Sequence, residues 1–122
     1  MIDPEALTNT RLLGGFIIAA VEFTNEPLTD AIGRPAIAKT GIVGGTFDVV
    51  IRRDLDEREL SVTIYHEILE AASVAAQDPP HQVVDFTEAD FDRIAYAMHE
   101  SLGEASPANL NRMLQLHGFG EE

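Results

Sequence analysis

A chain of 122 residues with 45% apolar side chains can bury a core as one domain, spanning 1–122, and is too apolar for disorder. Its 21 acidic residues against 8 basic ones leave a formal net charge of −13, which argues against nucleic acid and against anionic membrane surfaces as partners. There is no cysteine, so disulfides and thiolate zinc sites are excluded and any metal must be held by histidine, carboxylate or carbonyl oxygen. The acidic start Met1-Ile2-Asp3-Pro4-Glu5 lacks the basic region of a signal peptide. The longest apolar run, Phe16 to Val21, is far short of a membrane span, and a cytoplasmic protein is expected.

Residues 3–14 read as a short helical or irregular arm ending at Gly14-Gly15. Phe16-Ile17-Ile18-Ala19-Ala20-Val21-Glu22-Phe23 is rich in β-branched and aromatic residues and bounded by turn formers. It predicts a buried strand, with a helix as the competing reading. Thr24 to Pro35 reads as a loop. Ala36 to Val43 and Thr46 to Arg52 are β-like runs separated by Gly44-Gly45, a pair suited to a two-residue hairpin whose central positions need positive φ. Phe47, Val49 and Ile51 share one face of the second strand. Together these runs predict an antiparallel meander of about three strands.

Asp54 or Asp56 can cap a helix running from about Glu57 to Gln77 and stopped by Asp78-Pro79-Pro80. His81 to Phe86 reads as a short extended connection. Thr87-Glu88-Ala89-Asp90 has the form of a capping box, opening a helix to about Leu102 with Phe91, Ile94, Ala95, Met98 and Leu102 inward and Gly103 closing it. Ser106-Pro107 opens a last helix that Gly118 ends, and Gly120-Glu121-Glu122 reads as a tail. The predicted class is α+β: a small antiparallel three-stranded sheet packed against about three helices.

The central helix is unusual in its balance. At about 100° per residue, Thr63, His66, Glu67, Glu70, Ser73 and Gln77 form one narrow polar stripe on an otherwise apolar cylinder. A surface helix shows the reverse, so this one should be central, with a single wet strip. Residues four apart stand side by side about 6 Å apart, close enough for two side chains to hold one cation. His66-Glu67-Ile68-Leu69-Glu70 has the first histidine and the glutamate of the zinc-binding pattern His-Glu-x-x-His, with Glu70 in place of the second histidine.

The strand, the charged turn and the helix reading Leu60-Ser61-Val62-Thr63-Ile64-Tyr65-His66-Glu67-Ile68-Leu69 resemble the strand-to-active-helix unit of small, minimal zincin metallopeptidases, over roughly residues 46–77. The resemblance implies a zincin-like fold, His66 as metal ligand, Glu67 as general base and Glu70 at the place of the second ligand. It also implies a third ligand downstream, for which His99 ranks first, then Glu88 and His81. The metal expected is zinc, or the harder Mn²⁺ or Fe²⁺ because of the added carboxylate. Tyr96 or Tyr65 is the expected oxyanion donor, with an extended peptide or protein substrate held along Thr46–Arg52 as an edge strand.

Two alternatives stand beside this reading. His66 and Glu70 could be an i,i+4 hydrogen-bonded pair on the solvent face. The domain could also be a non-catalytic acidic protein-interaction module with no metal, using the helix stripe or a hairpin edge. Gly14-Gly15 and Gly41 to Gly45 lack the setting of a phosphate loop, and no serine lies in a nucleophile elbow.

Overall fold

The hairpin forms where the paired glycines place it. In the computed structural model, which describes residues 2–30 and 32–120, strand β5 (Ala38–Val43) pairs antiparallel with β6 (Thr46–Arg52) from Val43↔Thr46 to Ala38↔Ile51. (The earlier elements are α1, Pro4–Leu7; β1, Thr10–Arg11; β2, Ile17–Thr24; β3, Leu28–Thr29; and β4, Pro35–Ala36.) The expected tail residues Glu121 and Glu122 lie outside the described residues. Of the two turn glycines only Gly44 has a left-handed φ, 60°, so the turn requires glycine at its first central position. A Cβ on Gly45 would meet the Gly15 carbonyl at an ordinary 3.4 Å, beside the point where Ile17 N–H donates to the Gly45 carbonyl at 2.9 Å.

The sheet is not the antiparallel three-stranded meander that the pattern predicts. It has four strands in the order β1-β2-β6-β5, and β2 runs parallel to β6 from Ile17↔Thr46 to Thr24↔Arg52, with an irregularity between Ile18 and Ala20. Alternation reports which face a residue takes but not strand direction. The 21 residues between β2 and β6 (25–45) supply the crossover that a parallel pair needs, here built from strands in place of a helix. Strand β1 adds Thr10↔Ile18 and Arg11↔Ile17 at the far edge. The expected loop from Thr24 to Pro35 also holds structure: β3 and β4 pair as a separate two-stranded sheet. Strand β6 is therefore interior, and the edge nearest the helices is β5.

The helix α2 (Glu57–Ala75) starts at the Asp56 cap, whose carboxylate accepts from Glu59 N–H at 2.8 Å. It ends two residues before the predicted Gln77. Asp78 precedes a proline, which disfavours helical backbone there, and Ala76 is already extended. Helix α2 touches β5, β6, α3 (Glu88–Leu102) and α4 (Pro107–Leu116). That enclosure buries Ile64, Tyr65, Ile68, Leu69 and Ala72 against Phe47, Val49 and Ile51 of the sheet and Leu110, Met113 and Leu114 of α4. The central position expected for this helix is thus found. Residues 81–85 form turns in place of the predicted extended connection, with Val83 buried and Phe86 N–H donating to its carbonyl. No helix among the described residues is long and apolar enough to cross a membrane.

Helix α3 begins on the predicted capping box: Thr87 Oγ1 accepts from Asp90 N–H at 3.3 Å and Asp90 Oδ2 from Thr87 N–H at 2.8 Å. This start sets where Glu88 and Asp92 stand. Thr87→Ala is expected to lower the unfolding free energy by about 1 kcal/mol, read as a lower urea midpoint at unchanged slope. An unchanged midpoint would remove the cap from the account of where α3 starts.

Candidate metal centre

The polar stripe of α2 opens into a cleft of about 320 Å³ whose other walls are Ala36, Ile37 and Ala38 before and within β5, and Glu88, Asp92 and Tyr96 of α3. Not all of the stripe takes part. Ser73 satisfies itself on the Leu69 carbonyl at 2.7 Å, and Gln77 lies beyond the helix end. His66 is only 9% exposed, so it is no solvent-face residue.

The imidazole is held from both sides. Its Nδ1 lies 2.6 Å from Asp92 Oδ1, and because an ionised carboxylate can only accept, Nδ1 carries the proton. Nε2 then faces three carboxylates: Glu88 Oε2 at 3.2 Å, Glu70 Oε2 at 3.7 Å and Glu67 Oε2 at 3.8 Å. The other oxygen of Glu67, Oε1, accepts from the Thr40 hydroxyl of β5 at 2.9 Å. His66, Glu67 and Glu70 each offer a ligand atom within 4.8 Å of one another, so this group could hold a metal ion.

Charge in the cluster is strongly perturbed. Burial disfavours the imidazolium, but the Glu70 contact and the neighbouring Glu67 and Asp92 charges outweigh it and raise the His66 pKa to about 9. The Glu67 carboxyl is held above its usual range, chiefly by burial, against the pull of the Thr40 hydroxyl and His66. Glu70 is lowered by its bond to His66, and Glu88, facing Glu70 and partly desolvated, is pushed up to about 7. A lone proton on Nε2 thus offsets only part of the negative charge gathered around it. The donor set that could hold an ion is one imidazole nitrogen, its ring oriented by a carboxylate on the other nitrogen, and converging carboxylate oxygens.

The structure places the other candidates as follows. His99 Nδ1 lies 2.8 Å from Ser61 Oγ, which also accepts from Ala105 N–H at 2.9 Å. Ser61 is five residues before His66, so His99 braces the α3–α4 connection and stands apart from the cluster. The position beside Nε2 that the sequence ranked for His99 belongs to Glu88. No hydrogen bond or ion pair among the described residues joins His81 to the group. Helices α2 and α3 cross antiparallel, as the pairs His66–Asp92, Ser61–His99 and Glu59–Tyr96 record, so only the first turns of α3 meet His66. The Tyr65 hydroxyl turns away to the Gly103 carbonyl at 2.9 Å, and burial raises its pKa to about 12. Tyr96 does line the cleft, donating to both Glu59 oxygens at 3.0 and 3.1 Å. Thr40 went unassigned, though a polar residue on the core-facing side of β5 was the available signal.

No protein-family description, curated protein or solved structure matches this chain.

Proposed function

We propose that this chain is a zincin-like, metal-dependent hydrolase of peptide bonds, with His66, Glu70 and Glu88 holding the ion and Glu67 as general base. The observation that carries this reading is the convergence of three carboxylates on His66 Nε2 beside a cleft that His66, Glu67 and Glu88 line, with Nδ1 already fixed by Asp92. A set with one imidazole and several carboxylates suits Mn²⁺ or Fe²⁺ as well as zinc. An ion bound there supplies Lewis acidity toward a carbonyl oxygen.

The protein's own groups do the rest. Thr40 anchors one Glu67 oxygen and leaves the other turned toward His66 and the cleft, where it can accept a proton from an attacking water. The burial that raises the Glu67 pKa makes it a stronger base than an exposed glutamate. Asp92 holds the imidazole ring in one tautomer. The substrate backbone has an edge strand to lie against, β5, whose one side pairs with β6 while its start lines the cleft. Tyr96 stands on the opposite wall, and its hydroxyl would have to leave Glu59 to reach a carbonyl oxygen.

The test is metal-linked stability. Zinc at a hundred times its Kd is expected to raise the unfolding free energy by about 2.7 kcal/mol, EDTA to reverse it, and His66→Ala to abolish it. If Zn²⁺, Mn²⁺ and Fe²⁺ all leave the wild-type melting curve unmoved, the metal reading fails and the metal-free interaction module is what remains.

A further inference from the structure

The cleft extends past the metal cluster toward the start of α2. There its floor is Val62 and Thr63, and its end wall is Glu59 with Tyr96. Thr63 is 4% exposed and its hydroxyl makes no hydrogen bond among the described residues. Among the described residues no fully enclosed side-chain polar atom lacks a partner, so the little surface that Thr63 keeps includes that oxygen, and Thr63 lines the cleft. A hydroxyl this deep without a partner is a binding group waiting for one.

Glu59 adds the charge. Its carboxylate accepts from Tyr96 at 3.0 and 3.1 Å and makes no ion pair among the described residues. The neighbouring Arg58 does not neutralise it, being committed to Glu100 and lying over the Tyr96 ring, 5.5 Å from the centroid. No lysine or arginine lines the cleft. An anionic group entering it meets Glu59, Glu67, Glu88 and Asp92, and an apolar one leaves the Thr63 hydroxyl unsatisfied. An ammonium or guanidinium satisfies both Thr63 and Glu59.

The geometry points to a subsite for a lysine or arginine side chain of the substrate, formed by Thr63 and Glu59, one and two helical turns from Glu67. Thr63 lies roughly 6 Å and Glu59 roughly 12 Å along the axis from Glu67. The four-carbon stem of lysine, or the longer arginine, reaches from a residue beside the cleaved bond into that interval. The inference rests on the peptide-hydrolase reading and makes the substrate class a basic peptide.

Two blocked, fluorescein-labelled pentapeptides test it, alike except for a central lysine or its neutral isostere norleucine. Binding is read by anisotropy on the zinc-equilibrated Glu67→Gln protein, which leaves the probes uncut. The lysine peptide is expected to bind about tenfold tighter than the norleucine peptide. Adding Glu59→Gln is expected to bring the two within twofold without weakening norleucine binding, and Thr63→Val to narrow the gap in part. Asp48→Asn, which removes an exposed acid of β6 outside the cleft lining, should leave the preference intact. Equal binding of both peptides overturns the basic subsite alone, and so does a preference that survives Glu59→Gln or disappears with Asp48→Asn. Failure of both peptides to bind overturns the peptide reading together with the subsite.

Discussion

Replacing Glu67 with glutamine is expected to lower metal-dependent peptide hydrolysis by about 10²- to 10⁴-fold, while zinc affinity falls far less than on replacing Glu70. The two carboxylates differ in what holds them. Glu70 is drawn below its usual pKa by His66 and so is ionised and ready to bind a cation. Glu67 is tied to Thr40 through one oxygen and raised by burial, which suits proton transfer better than ligation. Stability separates a catalytic from a structural role for Glu67. An acid whose folded pKa lies above its unfolded value destabilises the fold once the pH passes the unfolded value. Glutamine keeps the shape and can still accept from Thr40, without the charge. The metal-free variant is therefore expected to unfold at higher urea than wild type at pH 8. Loss of activity together with loss of stability would mark Glu67 as a structural residue and remove it from the chemistry.

Features written in adjacent residues were legible before any coordinates. The Gly44-Gly45 turn, the Thr87/Asp90 box and the Ser106-Pro107 start are all local, each depending on a few dihedrals and one or two hydrogen bonds. The wet strip of α2 was legible too, because burial on the remaining sides leaves its mark in helical periodicity. What periodicity does not carry is the relation between elements. The direction of β2 against β6 depends on the path of residues 25–45, and β1, two residues long, has no pattern to show.

The same limit explains which α3 side chain stands beside His66. Glu88, Asp92 and His99 all fall on one flank of α3, and chemistry alone prefers the histidine. Which of them meet His66 depends on how far α3 slides along α2, after a connection at 81–85 that forms turns where the pattern showed only an extended run. The slide brings Asp92 to His66 and sends His99 to Ser61. Glu59 and Thr63 show no common role in the sequence for a different reason: Glu59, with Glu57 in the first turn of α2, reads as a dipole partner, and Thr63 as part of the stripe. Only the cleft gives the two a common role.

Without metal, the protein is expected to be most stable in mildly acidic solution and to lose stability steadily as the pH rises toward 9. Glu88 and His66 set most of this slope, and Glu67, also raised by burial, adds to it in the same direction. Glu88 has its folded pKa raised from 4.5 to about 7, so the folded state binds more protons than the unfolded one across that window and stability falls with pH there. His66 is raised from 6.5 to about 9, so its contribution is fully present below 6.5 and is lost as the pH passes about 9. Since the Asp92 and Glu88 side chains are 63% and 76% exposed, solvent screening reduces the His66 contribution to about 1–2 kcal/mol. Zinc should invert the trend. It binds the deprotonated imidazole and carboxylates, so binding expels protons and strengthens as the pH rises. Urea midpoints between pH 6 and 9 are therefore expected to fall in EDTA and to rise in zinc from pH 6 to 8, with at least one proton released per ion at pH 7.5. His66→Ala should flatten the EDTA slope above pH 6.5. A wild-type slope that the substitution leaves unchanged would place the titrating group elsewhere and break the link between the imidazole and its ring of carboxylates.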